Sequence, residues 1–385
     1  MAPSVVTIGS VTQKTDAPTI QGPYKDFDRG YLNKTKELSG TEKHSPASYP
    51  HYLPTFELTG PKENGGVYYP LEEFEHYDHG RDADPSFPHL LPQGVVQVEN
   101  LTPKFGSEVR GVQLSSLTSA GKDELALFVA QRGVVAFRDQ DFADLPIQEA
   151  LDFGGYFGRH HIHPASGQPK GYPEIHLVHR GAEDPTLNNI FETRTSSVAW
   201  HSDVTYEKQP PGTTFLYILD TPKDADGKIS GGDTAFVSMA EAYERLSEPF
   251  RERLKGLRAT HSGVEQSAAA AARGSVVRRL PVINDHPVVR THPVTGKKTL
   301  FVNPQFTRRI IGYKYEESDA LLKFLYDHTA YGTDFQIRVK WAPKTVVVWD
   351  NRIAMHSALL DWNSGGRRHL ARITPQAEVP TESWD

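Results

Sequence analysis

Cysteine is absent from the chain, which excludes disulfides, iron–sulfur clusters, thiolate zinc sites and a cysteine nucleophile together. Any metal must be held by histidine and carboxylate. No run of 18 apolar residues occurs, and the start, MAPSVVTIGSVTQKTDAP, lacks a basic stretch leading into an apolar core. A soluble, cytosolic protein with no membrane partner is expected. Basic runs are missing too: 42 Lys and Arg stand against 48 Asp and Glu, a net charge of −6. A nucleic-acid partner is disfavoured, because a basic stripe supplies most of that affinity. What the chain does have is length, 385 residues of which 37% are hydrophobic, enough for one large core or two modest ones. Its 31 glycines, 28 prolines and 10% aromatics suit a turn-rich β protein better than a helical bundle.

Residues 1–94 are rich in Pro, Gly, Tyr and acidic residues without a sustained period. They are expected to form an extended, partly ordered wrapping segment. From residue 95 onward a mixed α/β, mainly β body begins. VVQVENLTP, GVVAFRD, VAWHSDVTY, TTFLYILD, KTLFVNP, TVVVWDN and HLARITP look like strands. SAGKDELALFVAQR after a Ser cap, SMAEAYERLSEPFRERLKG and EESDALLKFLYDHTA have helical spacing. Many short strands joined by long connections fit a double-sheet jelly roll with flanking helices. The run Ala268 to Ala272 predicts a surface helix in preference to an active-site lid.

The most informative string is Trp200-His201-Ser202-Asp203-Val204-Thr205-Tyr206. On a strand, residues two apart share a face about 6.5 Å apart, so His201 and Asp203 could converge on one ion. Alone the pair is weak, since His76-Tyr77-Asp78 has the same spacing and is expected in a solvated loop. A third ligand changes the argument, because two His and one carboxylate on one face of Fe(II) leave positions open for a co-substrate and O₂. His356 is that candidate, expected just past the end of the strand TVVVW. Arg368 and Arg372, in GGRRHLARITP, are an even number of residues apart and so would face the same side of a strand. Two guanidinium groups pointing inward are costly unless they meet anions, which suggests two carboxylate-like ligands, each suited to bidentate capture.

Taken in order, HSDVTY, GGDT at Gly231 to Thr234, WDNR with His356, and RRHLAR resemble the taurine/2-oxoglutarate dioxygenase family, most closely its fungal alkylsulfonate branch. RGVVAFRDQDF, GRHHIHP, QPPGTTFLY, HPVVRTHPVTGKK, FVNPQFTRRI and ARITPQAE extend the resemblance over about residues 95 to 380. It implies a double-stranded β-helix and an Fe(II)/2-oxoglutarate dioxygenase domain over 95–385. It also implies a reaction with O₂ that hydroxylates the carbon bearing sulfur in an alkyl sulfonate, releasing sulfite and an aldehyde beside succinate and CO₂. By the same resemblance His201, Asp203 and His356 hold iron, and Arg368 with Thr234 binds the distal carboxylate of 2-oxoglutarate. Arg372 and His163 then meet the anionic group of the substrate, with Val204 nearby; the alternative for His160, His161 and His163 is a surface or metal-binding cluster without catalytic meaning.

Two positions depart from that branch. Ser197 stands where the bacterial taurine enzymes carry Asn, which disfavours taurine itself, and Ile353 and Met355 are bulky and apolar where small or polar residues are usual. These two side chains either line the substrate cavity or belong to the core. The alternatives are therefore the same oxygenase machinery acting on an amino-acid or other carboxylate, by hydroxylation, desaturation or cyclisation, and a non-catalytic jelly-roll binding protein. The expected partner in the leading reading is a small anionic substrate, and a homo-oligomer is compatible with the chain.

Overall fold

The computed structural model describes residues 46–181, 191, 194–223, 226–272, 275–362 and 366–383. Its central feature follows from three strongly apolar segments: β3 (Val134–Phe137), β5 (Thr213–Asp220) and β13 (Val346–Asp350). Strands this apolar on both faces must lie inside a sheet covered on both sides. They do, within a seven-stranded sheet that also takes in β1 (Gln97–Asn100), β2 (Ser107–Arg110), β4 (Ile175–Arg180) and β15 (Arg368–Ile373), in the order β1-β2-β3-β13-β5-β15-β4.

The two faces separate by strict alternation. Val346 and Val348 of β13, with Phe137, Phe215, Tyr217 and Ile373, pack against α1 (Ser119–Arg132) and α2 (Ile147–Gly155) through Leu125, Phe128, Leu151 and Phe153. Val347 and Trp349, with Val134, Leu216, Ile218 and Leu370, pack instead against Phe236, Ile337, Val339 and Ala354. These last come from a three-stranded sheet, β12 (Gln336–Val339), β6 (Thr234–Ser238) and β14 (Ala354–Ala358), which faces the large one.

A further apolar cluster joins α3 (Met239–Glu244), α4 (Glu248–Leu254) and α6 (Tyr315–Tyr331) to β7 (Arg258–Ser262), β9 (Val289–Thr291), β10 (Lys298–Leu300) and β11 (Thr307–Ile310). β7 is paired on its other edge with β8 (Ile283–Pro287), and α5 (Val264–Ala272) follows β7 directly. No described helix is long and apolar enough to cross a membrane.

Several local expectations are corrected. The helix expected over 238–256 is broken in two: Ser238 caps the first half by accepting from Glu241 N at 3.1 Å, and Pro249 in the first turn of the second half forbids a continuous ladder. The cap of α1 is Thr118, whose hydroxyl accepts from Gly121 N, and not a serine. VAWHSDVTY is not a strand; only His201 makes a bridge, and the chain turns immediately after it. Residues 268–272 do form a helix, but Gln266 in its first turn reaches the main cavity.

The expected solvated loop at His76-Tyr77-Asp78 is also wrong at Asp78, which is buried against Arg352. Arg352 also bonds Asp350 and Glu378, Glu378 pairs with Arg290, and His292 meets Asp350 at 2.9 Å. His76, Asp78 and Glu378 come close enough to share an ion. Arg352 already supplies the cation there, so the cluster is read as a buried ion network that fastens the N-terminal segment to the turn after β13.

Candidate active site

The three proposed ligands arrive from two segments far apart in sequence. His201 and His356 face each other across an isolated antiparallel bridge, His201 N donating to His356 O at 3.0 Å and His356 N to His201 O at 2.8 Å. This pairing brings the imidazole centroids to 4.2 Å. His356 is within β14, not beyond a strand end, because residues 351–353 make a turn that starts a second strand. Asn351 in that turn explains part of the WDN string. Its Oδ1 accepts from Asp203 N at 3.0 Å and from Trp349 Nε1 at 3.1 Å, and its Nδ2 donates to Thr214 Oγ1 at 2.6 Å. Ser202 Oγ donates to Ala354 O, and Val204 takes a left-handed φ of 39°, so the loop turns Asp203 back beside the two rings.

The geometry of these residues fits a divalent metal. Nδ1 of His201 donates to Ala199 O at 2.8 Å, which leaves Nε2 as the lone-pair nitrogen. Asp203 Oδ1 lies 3.9 Å from His201 Nε2 and 3.8 Å from His356 Nε2, and Asp203 Oδ2 is buried with no hydrogen-bond partner among the described residues. One donor atom from each residue lies within 4.8 Å of the others. Burial pushes His201 below the usual imidazole range and His356 well below it, so both rings are neutral and able to ligate. Burial alone would raise Asp203, but the Arg372 guanidinium beside it outweighs burial and holds the carboxyl below its ordinary value.

The triad lies in a cavity of about 260 Å³. Arg368 and Arg372 both line it, as their spacing on β15 predicts. Arg372 Nη1 donates to Asp203 Oδ1 at 2.6 Å, and its Nη2 donates to His176 Nδ1. Arg368 Nε donates to Gly232 O at 2.9 Å, and its guanidinium lies over Trp362. The GGDT string has a steric reason here. Gly231 and Gly232 adopt φ of 74° and 70°, and a Cβ on Gly232 would come within 3.0 Å of Arg368 Nε. Thr234 is buried at the start of β6, where its hydroxyl accepts from Trp341 Nε1 at 3.1 Å, and it does not line the cavity.

His163 and Val204 line the cavity, whereas His160 and His161 do not. His161 is committed to a buried cluster, with Glu207 at 2.9 Å and Arg279 at 2.8 Å. Ser197 lies outside the lining and accepts from Leu360 N at 3.1 Å. Ile353 and Met355 are buried at 3% and 1% exposure and face away from the cavity, Met355 inside the apolar cluster with Trp200 and Val237. Alternation along β14 decides this: His356 and Ala358 look into the cavity, so Met355 cannot.

Sequence reasoning missed His176 and Arg180. They lie on β4 directly opposite Arg372 and Arg368 in register, and both line the cavity. The alternation in IHLVHR was the available signal, legible only once β4 is known to neighbour β15. Phe306, Leu360 and Trp362 complete much of the apolar wall.

Two facing sheets with a two-histidine, one-carboxylate set in a cavity lined by strands of both have the features of the mononuclear non-haem metal oxygenases. The chain belongs to the taurine catabolism dioxygenase TauD, TfdA family, whose model matches residues 97–374. It is 42% identical over 369 residues to an alpha-ketoglutarate-dependent sulfonate dioxygenase of Saccharomyces cerevisiae, covering 93% of this chain and 87% of that one. It is also 42% identical to the alpha-ketoglutarate-dependent dioxygenase cnsM of Penicillium expansum, over 90% of this chain and 94% of the relative. Among solved structures, a putative alpha-ketoglutarate-dependent taurine dioxygenase from Burkholderia xenovorans superposes with a TM-score of 0.61 at 29% identity, covering 74% of this chain and 94% of that one.

Proposed function

We propose that residues 95–385 form an Fe(II)- and 2-oxoglutarate-dependent dioxygenase domain of double-stranded β-helix type, and that its substrate is an alkyl sulfonate. His201, Asp203 and His356 would hold the iron, which when bound supplies the site for 2-oxoglutarate and O₂ and the oxidising power for C–H cleavage. In the balanced reaction one oxygen atom of O₂ enters succinate as CO₂ leaves, and the other enters the C–H bond beside sulfur. The resulting hydroxysulfonate separates into an aldehyde and sulfite.

Arg368, with Arg180 beside it and Trp362 under both guanidinium groups, would take the distal carboxylate of 2-oxoglutarate at one end of the cavity. The other end carries the observation on which the substrate class rests. His163 Nδ1 accepts two backbone N–H groups, from Ala165 at 3.1 Å and Ser166 at 3.0 Å, and His176 Nδ1 accepts from Arg372, which can only donate. Burial keeps both rings neutral, so the remaining proton of each is on Nε2. Neither Nε2 has a protein hydrogen-bond partner among the described residues, and both histidines line the cavity. Two N–H donors beside a guanidinium suit a three-oxygen pyramidal anion better than a planar carboxylate. The reading is tested by whether sulfite appears together with succinate.

The position of Arg372 adds a second duty to it. Bound to Asp203, it keeps that carboxylate ionised for the metal, and beside His176 it lines the end of the cavity assigned to the substrate.

A further inference from the structure

The N-terminal segment lies outside the residues matched by the family model, yet it supplies two residues, Pro54 and Phe56, to the wall of the active-site cavity. We propose that this segment is a fixed strap whose Phe56 sets the size of substrate that the cavity accepts. The inference rests on the oxygenase reading above, and goes beyond it by giving the extension a role in specificity.

The strap is held at points spaced along its length. Ser48 N donates to the Asp220 carboxylate at 3.2 Å, and Tyr49 Oη donates to Asp144 Oδ1 at 2.7 Å. Tyr52 is completely buried against the large sheet, its hydroxyl 3.0 Å from that of Tyr217. Thr55 then pairs with Gln168 as a short antiparallel bridge, Thr55 N donating to Gln168 O at 2.7 Å and Gln168 N to Thr55 O at 3.1 Å. Further on, Tyr68 N donates to Arg278 O at 2.7 Å, and Arg278 Nη1 donates to Ser166 O at 2.6 Å. A segment anchored on both sides of residue 56 presents its side chain as a rigid surface.

The end of the cavity it walls is the one assigned to substrate. Gly167 adjoins Ser166, which bonds His163, and Leu177 N, next to His176, donates to Gly167 O at 3.0 Å. A Cβ on Gly167 would meet Pro54 Cβ at 2.6 Å and the Phe56 ring at 3.4 Å. Glycine is therefore required at 167 for the strap to seat. An anion anchored at His163, His176 and Arg372 would direct its carbon chain into space bounded in part by Phe56 and Phe306, and truncating an aromatic wall enlarges such a space.

The test uses the full chain loaded with Fe(II) and 2-oxoglutarate, measuring succinate with two-, four- and six-carbon alkyl sulfonates and the matching carboxylates. Phe56→Ala is expected to raise the kcat/KM ratio of the six-carbon over the two-carbon anion at least fivefold, and Phe56→Trp to lower it by a similar factor. The KM for 2-oxoglutarate should stay within twofold in both. Gly167→Ala, which keeps the Phe56 side chain but pushes Pro54 and with it the seat of Phe56 away from the cavity, should shift the ratio in the direction of Phe56→Ala. A chain-length ratio unchanged within twofold in all three variants, or a change confined to the KM for 2-oxoglutarate, overturns the proposal. Turnover with carboxylates alone would remove the sulfonate reading, and the same ratio measured on carboxylates would still decide the role of Phe56.

Discussion

Arg372 Nη1 lies 2.6 Å from Asp203 Oδ1, so a guanidinium that the spacing of β15 reserves for a ligand is also the main partner of a proposed metal-binding carboxylate. Both groups are buried, and removing one partner of such a pair leaves an uncompensated charge. Arg372→Ala is therefore expected to raise the KM for substrate more than tenfold and to weaken Fe(II) retention as well. The KM for 2-oxoglutarate should change by less than threefold. Steady-state succinate assays with each component varied in turn, together with iron titration, check this. A rise in the 2-oxoglutarate KM alone would mean that the roles of the two arginines are exchanged.

His176 is the less obvious partner of the same arginine. A hydrogen bond to a charged group contributes about 1.5–3 kcal/mol, so His176→Leu should raise the KM for an alkyl sulfonate roughly tenfold or more. The KM for 2-oxoglutarate should be little altered. Equal increases in both would show that the substitution only disturbs the fold of β4.

How much of this was legible in the sequence depends on range. Arg368 and Arg372 could be placed on one face because strand alternation is a local rule, and the central strands could be recognised from apolar runs such as TTFLYILD. The third ligand was found by chemistry, yet its place within β14 was not, since the turn at 351–353 depends on Asn351 reaching the Asp203 loop and Thr214. Likewise the strand expected around His201 and Asp203 does not form. Their convergence comes from the bridge to His356 and the positive φ of Val204, neither of which has a local signature. Ile353 and Met355 were ambiguous for the opposite reason, because apolar side chains beside a ligand serve core and cavity equally well until the facing direction is known. His176, Arg180 and Phe56 needed the pairing of distant segments, which no periodicity within one segment reveals.

Gly232 gives a test of the other end of the cavity. Its φ of 70° is strained for any other residue, and an added Cβ would press on Arg368 Nε at 3.0 Å. Gly232→Ala is expected to raise the KM for 2-oxoglutarate at least fivefold, with a smaller effect on the KM for substrate, measured by the same succinate assay. A selective loss of substrate affinity would contradict the assignment of Arg368.

Acid stability should follow the buried histidines remote from the triad. Burial brings His286 and His369 down to about 3, against about 6.5 in an unfolded chain. Between those values the unfolded state binds protons that the folded state does not, so stability is fully present above about pH 6.5 and falls as pH drops toward 3. Each ring contributes a loss of about 1.4 kcal/mol per pH unit in that window. Urea midpoints should be level from pH 7.5 to about 6.5 and then decline to pH 4.5, less steeply in His369→Gln provided that the variant is folded at pH 7.5. A flat profile would show that these rings are not held neutral.

The central claim is that this cavity cleaves a carbon–sulfur bond by hydroxylation. The most direct test is parallel measurement of succinate and sulfite from the Fe(II)-loaded protein with 2-oxoglutarate and a panel of alkyl sulfonates, amino acids and aryloxyacetates. The account predicts sulfite and succinate in equal amounts with a sulfonate, and neither from Asp203→Ala. Succinate formed only with a carboxylate, with no sulfite from any sulfonate, would contradict it.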